Sequence, residues 1–232
     1  LPSDSALYVN RDPGTRYFIE KDRDAGERDL RRLIGSSEVE ESWLYVEFIE
    51  RGTIVKRWYE TGRTSGTHSV SGSLGEVLGL LTDRRVVYAS DYHFHPARKD
   101  GGWDMRMDFI PSPDDLDQNL RLNEYLRKNG IDRMVGAAII TRAGKFTFAV
   151  SAVSEPGSLL VDSFEIANRA IQRLNECLRT EFGLCTGMRN LDWREIRKII
   201  EDYCMGHRAL GVEIRYEPLS QGIPEERRNG VR

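Results

Sequence analysis

Two imidazoles stand two residues apart in the run Asp91-Tyr92-His93-Phe94-His95-Pro96. The residues before them, Arg84-Arg-Val-Val-Tyr-Ala-Ser90, are of strand-forming type, so the histidines are expected at the C-terminal end of a strand. Successive strand side chains point to opposite faces. His93 and His95 therefore project together, and both rings can reach one metal ion. The chain holds 4 histidines in all, the others being His68 and His207, which limits any histidine-built site to a small one. Downstream, Ser112-Pro113-Asp114-Asp115 has the spacing of a helix cap: Ser at the N-cap, Pro at the first helical position and an acid three residues after the Ser. Asp115 at such a helix start can also project into a pocket. With two imidazoles nearby, its carboxylate completes a three-ligand zinc site that leaves the fourth position to water. Asp91 shares strand parity with His93 and reads either as an orienting partner for a histidine or as a solvated turn acid.

The elements that must place these groups follow from pattern. Short strand-like runs at 7–9 and 17–19 are separated by Asp12-Pro13-Gly14. A helix is expected over Glu27–Ile34, with Gly35 as its stop. Trp43–Glu50 and Thr53–Tyr59, rich in aromatic and β-branched residues and split at Arg51-Gly52, predict a β-hairpin. A polar linker over 61–73 leads to a helix over Leu74–Leu81. The strand bearing the histidines ends at Pro96, and a polar loop over Ala97–Ile110 precedes the capped helix, which runs to near Gly130. Strands are expected at Met134–Thr141 and Lys145–Val153. Two helices, Phe164–Phe182 and Leu191–Met205, and a last short strand at Gly211–Tyr216 follow. The order is that of an α+β fold with interspersed helices and a helical pair appended.

His93-x-His95-Pro96, a loop, Pro111-Ser112-x-x-Asp115-Leu116, a helix and then a Met134–Thr141 strand resemble the JAMM (MPN+/JAB domain) metallopeptidase signature. The likeness spans about Gly26 to Val153. It implies a cytidine-deaminase-like JAB/MPN three-layer sandwich, with a mixed β-sheet and flanking helices, plus C-terminal helical additions. The domains expected are an N-terminal extension over 1–25, the metallopeptidase-like domain over 26–156, a helical addition with a final strand over 157–217, and a flexible tail over 218–232. The resemblance further implies that His93, His95 and Asp115 hold Zn²⁺. It implies that Glu41, just before the hairpin, acts as general acid and base, with Glu40 and Glu47 as neighbouring alternatives, and that Ser112 donates to the oxyanion. Glu76 lies too near His93 for that role. The loop between His95 and Ser112 is longer than the family pattern. It carries Trp103, a candidate substrate-binding residue, and the alternating Met105, Met107 and Phe109, and reads either as a surface loop or as a flap that grips an extended substrate strand or shields the metal.

The expected function is zinc-dependent hydrolysis of an amide bond, at the tail of a ubiquitin-like or other protein substrate. The alternatives are a non-catalytic scaffold of the same fold and a zinc hydrolase of small amides. Other His-x-His metalloenzymes, the amidohydrolases and PHP phosphoesterases, need further histidines on later strands, and His207 is the one left. Composition narrows the field without naming a function. Lys+Arg 34 against Asp+Glu 37 leaves a net charge of −3, which argues against a strongly cationic nucleic-acid binder. No apolar run approaches the ~20 residues that span a bilayer. Three cysteines, Cys177, Cys185 and Cys204, cannot pair fully within one chain, and their spacing fits thiols of a reducing, cytoplasmic compartment. The opening Leu1-Pro2 is that expected of a processed or trimmed chain.

Overall fold

Trp43, Leu44, Tyr45 and Val46 are consecutive bulky side chains, with Phe48 following after Glu47, which is the composition of a strand buried on both faces. In the computed structural model this run lies on an interior strand of the sheet. The structure describes residues 18–34, 41–63, 81–82, 85–95, 109–128, 135–141, 143–150, 156–181 and 193–218. Its strands are β1 (Phe18–Glu20), β2 (Glu41–Glu50), β3 (Thr53–Arg63), β4 (Val86–Phe94), β5 (Val135–Ile140), β6 (Gly144–Val150) and β7 (Val212–Pro218). The helices are α1 (Arg23–Ile34), α2 (Pro113–Lys128), α3 (Pro156–Glu181) and α4 (Trp193–Ala209). The strands form one seven-stranded sheet in the order β1-β3-β2-β4-β5-β6-β7.

The expected hairpin is β2–β3. Glu50 pairs with Thr53, and the two turn residues both take positive φ, 51° at Arg51 and 79° at Gly52. That is what a two-residue type I′ turn requires, and its twist matches the strands it joins. The pairing of β4 with β5 is parallel, whereas the other ladders are antiparallel, so the sheet is mixed. Parallel neighbours need a crossover, and α2 lies on the one from β4 to β5. The C-terminal end of β4 and the N-terminus of α2 thus fall on the same connection.

Register assigns each side chain to a face. Trp43, Tyr45, Trp58, Tyr92, Phe94, Ala138 and Ile140 pack with Leu30 of α1 on one face. On this face α1 sits so close that a Cβ at Gly26 would overlap the Trp58 indole. The other face carries Leu44, Val46, Phe48 and Ala89 against Leu122 of α2. It also carries Ile139, Phe146, Phe148, Val212 and Ile214 against Leu116, Leu174, Ile196, Ile199, Ile200 and Tyr203. Helices therefore flank both faces, α1 on one and α2, α3 and α4 on the other.

Two expectations change at this point. The helical pair is not appended: α3 and α4 share the α2 core, and β7 extends the sheet by pairing with β6. On α4 the buried residues Ile196, Ile199, Ile200, Tyr203 and His207 recur at helical spacing and form its core-facing stripe. Gly211, at φ 82°, lets the chain leave α4 and turn directly into β7. Second, Phe109 and Ile110, expected as the last residues of the polar loop over Ala97–Ile110, belong to the core. They are 1% and 2% exposed and pack in the same core, with the Phe109 ring 6.2 Å from that of Trp193.

Candidate metal centre

His93 lies one residue before the end of β4, and His95 follows the strand with its N–H donated to the Ile140 carbonyl of β5 at 3.0 Å. That bond carries the strand's alternation past its last residue. The two rings sit edge to face, 4.9 Å between centroids. Facing them is Asp115: its Oδ1 is 3.1 Å from His93 Nδ1 and its Oδ2 3.4 Å from His95 Nε2. All three residues are buried, and their ligating atoms lie within 4.8 Å of one another.

Asp115 is set by the helix start that the sequence foretold. Ser112 N–H donates to Asp115 Oδ2 at 2.7 Å, and Asp115 N–H donates to Ser112 Oγ at 3.2 Å. This is the reciprocal pattern of a capping box, with Asp in the place usually held by Glu. The Ser112 hydroxyl also donates to Oδ2 at 2.8 Å. The cap and the pocket are thus one structure: the bonds that start α2 also aim its carboxylate at the imidazoles. One turn on, Asn119 donates to the Asp115 carbonyl at 2.8 Å.

The segment leading to this cap has no regular structure although it is buried, so side chains must satisfy its carbonyls. Thr141 Oγ1 donates to the Phe109 carbonyl at 3.4 Å, and the Tyr203 hydroxyl donates to the Pro111 carbonyl at 3.1 Å.

The electrostatics fit a site built for a cation. Burial pushes the Asp115 carboxyl up, but His93 and His95, by charge and by hydrogen bonding, outweigh it and keep the carboxyl well below the usual carboxylate range. Asp91, half-buried on the face of His93, responds in the opposite direction. Burial pushes it up to about 6, the charge of Asp115 adds to the rise, and His93 opposes it. Two imidazoles around an ionised, buried carboxylate form a donor set that suits a first-row divalent metal.

Other expected site residues fall differently. Glu41 opens β2, is buried, and accepts a hydrogen bond from Trp43 Nε1 at 3.1 Å. Its Cα pairs with Phe94, whereas Ser42 is the partner of His93. Alternation assigns Glu41 to the face of Trp43 and Phe94, and it is not part of the three-residue ligating group. Glu47 is on the Glu41 side of the strand and accepts from the Tyr45 hydroxyl at 2.6 Å. Glu40, Glu76 and Trp103 lie outside the described residues.

Sequence reasoning passed over two residues that the structure brings to this region. Ser42, whose hydroxyl accepts from Thr61 Oγ1 at 3.0 Å, is beside His93 in register. Tyr203 reaches the site from α4, 92 positions beyond the Pro111 that it contacts. The helical stripe of α4 could have marked Tyr203 as buried, but nothing local names Pro111 as its partner.

His207 and Cys204 offer no second centre. His207 is fully buried. Its Nδ1 donates to the Tyr203 carbonyl at 2.9 Å, which leaves Nε2 to accept from the Ser163 hydroxyl at 2.8 Å. Burial pushes the Cys204 thiol up to about 12, the behaviour of a packing residue and not of a nucleophile. No helix among the described residues is long and apolar enough to cross a membrane.

No protein-family model matches this chain, and comparison with curated proteins and with solved structures finds no match.

Proposed function

We propose that this chain is a JAMM-like zinc metallopeptidase that hydrolyses an amide bond at the tail of a ubiquitin-like or other protein substrate. The observation that carries the reading is the buried group of His93, His95 and Asp115 where β4 ends and α2 begins. Helices on both faces of a mixed sheet, with the group on the crossover between parallel strands, support the JAB/MPN sandwich as the fold.

In this reading His93, His95 and Asp115 hold the zinc ion. Bound zinc supplies Lewis acidity and a water acidified toward a pKa of about 7. The chain's own residues do the rest. Ser112, at the mouth of the group and half-buried, can turn its hydroxyl from Asp115 Oδ2 to a substrate oxygen as negative charge develops there. Glu41 is the carboxylate assigned to proton transfer. It starts on the Trp43 and Phe94 face at the first residue of β2, so to act it must both give up its bond to the Trp43 indole and swing around the strand end toward the reacting groups. Asp91 flanks His93 on the same face and helps to orient its ring. The intact ligand set stands against a non-catalytic scaffold, which has no need of three buried ligands.

The test is elemental analysis of the purified chain, joined to an assay on a ubiquitin-like fusion. About one zinc per chain and cleavage of the fusion are expected, as for a catalytic three-ligand site with an open position. His93→Ala combined with His95→Ala should abolish both. Glu41→Ala should retain zinc while lowering kcat by ~10²–10⁴-fold. A metal-free wild-type chain sinks the reading, and full activity in Glu41→Ala removes Glu41 from it.

A further inference from the structure

We propose that Tyr203 of α4 is a positioning residue for the metal centre, clamping the Pro111–Ser112 peptide that holds Asp115. The inference rests on the metal reading above and extends it to the C-terminal helices.

Its ground is that one peptide unit is gripped at both ends. The Pro111 carbonyl and the Ser112 N–H belong to the same plane, and the structure contains no cis peptide bond among the described residues. The carbonyl accepts from the Tyr203 hydroxyl at 3.1 Å, and the N–H donates to Asp115 Oδ2 at 2.7 Å. In a trans unit these two groups point in opposite directions. Rotating the plane to release one therefore moves the other. Oδ2 is also the oxygen 3.4 Å from His95 Nε2, so the peptide's tilt sets the position of a ligating atom.

Tyr203 is itself held. It is 1% exposed, its ring meets that of Phe146 at 86° and lies 4.4 Å from that of His207, and its backbone carbonyl accepts from His207 Nδ1. Burial keeps the phenol protonated, so it remains a donor throughout the ordinary pH range. Proline at 111 has no N–H of its own, so the unit before it offers no competing donor. A buried irregular segment with a carboxylate ligand at its end needs such a brace. Here the brace comes from the part of the chain that the sequence suggested was an addition.

The experiment measures zinc affinity by chelator competition, and the visible spectrum of the cobalt-substituted protein, for the full chain and two variants. Tyr203→Phe deletes one hydroxyl and leaves the ring. Ser163→Ala removes the buried bond to His207 in the same helix pair and leaves the Tyr203 hydroxyl and its bond to the Pro111 carbonyl in place. Tyr203→Phe is expected to weaken zinc binding by ~10-fold or more, the scale of losing an outer partner of a ligand, and to shift the cobalt bands. Ser163→Ala should lose stability with zinc affinity and spectrum unchanged. Equal zinc affinity in folded Tyr203→Phe and wild type overturns the inference and leaves the metal reading intact. An equal loss in both variants also overturns it, because the effect is then general softening of the helix pair. A wild-type chain that binds no zinc overturns the metal reading itself, and this inference with it. Hydrogen exchange of the unmutated, metal-free protein gives a readout that needs no variant to fold. The Ser112 amide should exchange as slowly as the interior amides of α4, and exchange at the rate of an open loop overturns the clamp.

Discussion

The two faces of the sheet each bury a cluster of ionisable groups, and they neutralise it in different ways. On the α1 face, Glu27 accepts from the Tyr92 hydroxyl at 2.5 Å and from Lys145 Nζ at 3.1 and 3.0 Å, one to each carboxylate oxygen. Arg31 stands 4.0 Å away, and Lys145 also reaches Glu217 at 3.4 Å. The positive charge there is permanent. On the other face the Asp115 carboxylate has, among the described residues, Ser112 and two imidazoles for partners. Its counter-charge must come from protons on histidine or from a bound cation. A lysine cluster is complete when the chain folds, whereas an imidazole cluster is complete only when something is added. That difference separates a structural ion pair from a site.

Asp115→Asn should break the comparison most sharply. It keeps the size of the side chain and removes the charge that the imidazoles face. Zinc affinity is expected to fall by more than the ~10–100-fold typical of losing an outer partner, because a ligand itself is lost. Calorimetric titration reads this, and unchanged zinc binding would mean that the carboxylate is only a helix cap.

Lys145→Met tests the opposite face. It leaves Glu27 buried without its main cation, and removing one partner of such a pair costs ~3–5 kcal/mol. Urea unfolding should show that loss while zinc stoichiometry stays at the wild-type value. A stability loss accompanied by loss of zinc would show that the two faces are not independent.

The third prediction concerns His207, an imidazole of neither cluster. Burial lowers its pKa, with its bond to the Tyr203 carbonyl opposing, so the folded protein takes up this proton at lower pH than the unfolded chain, which titrates at the ordinary value near 6.5. Its contribution to stability is therefore fully present above about pH 6.5 and declines as pH falls toward the lowered folded pKa. Over that window the loss is at most ~1.4 kcal/mol per pH unit. Metal-free wild type should lose more stability between pH 7.5 and 5.5 than His207→Gln does, and parallel pH profiles would exclude it.

The parts of this site legible in the sequence were those fixed by local periodicity. His-x-His on a strand and Ser-x-x-Asp at a helix start each put their groups on one side by geometry that a few residues determine. The face of Glu41 was not legible. It depends on which residue of β2 stands opposite His93, and a one-residue shift in that register reverses every side chain of the strand. The pairing makes Ser42 the partner, not Glu41. Non-local closure was hidden too. Nothing near residue 212 announces that Val212 pairs with Val150, or that Tyr203 reaches Pro111. Those contacts turn an apparent appendage into a wall of the site.

β4 packs both faces at once, Tyr92 and Phe94 on one and His93 on the other. Mutational drift at this strand is therefore confined to substitution. Deleting or inserting a single residue before Tyr92 would send the histidines toward the α1 helix and the aromatic rings toward Asp115, and no repair on either face alone could follow. The hairpin tip, with Ile49 and Ile54 46% and 55% exposed, is under no such double obligation. In a library of random variants, length changes should survive at Arg51-Gly52 and vanish from β4. A chain of this kind can diverge widely elsewhere while the ladder that holds the imidazoles keeps its count.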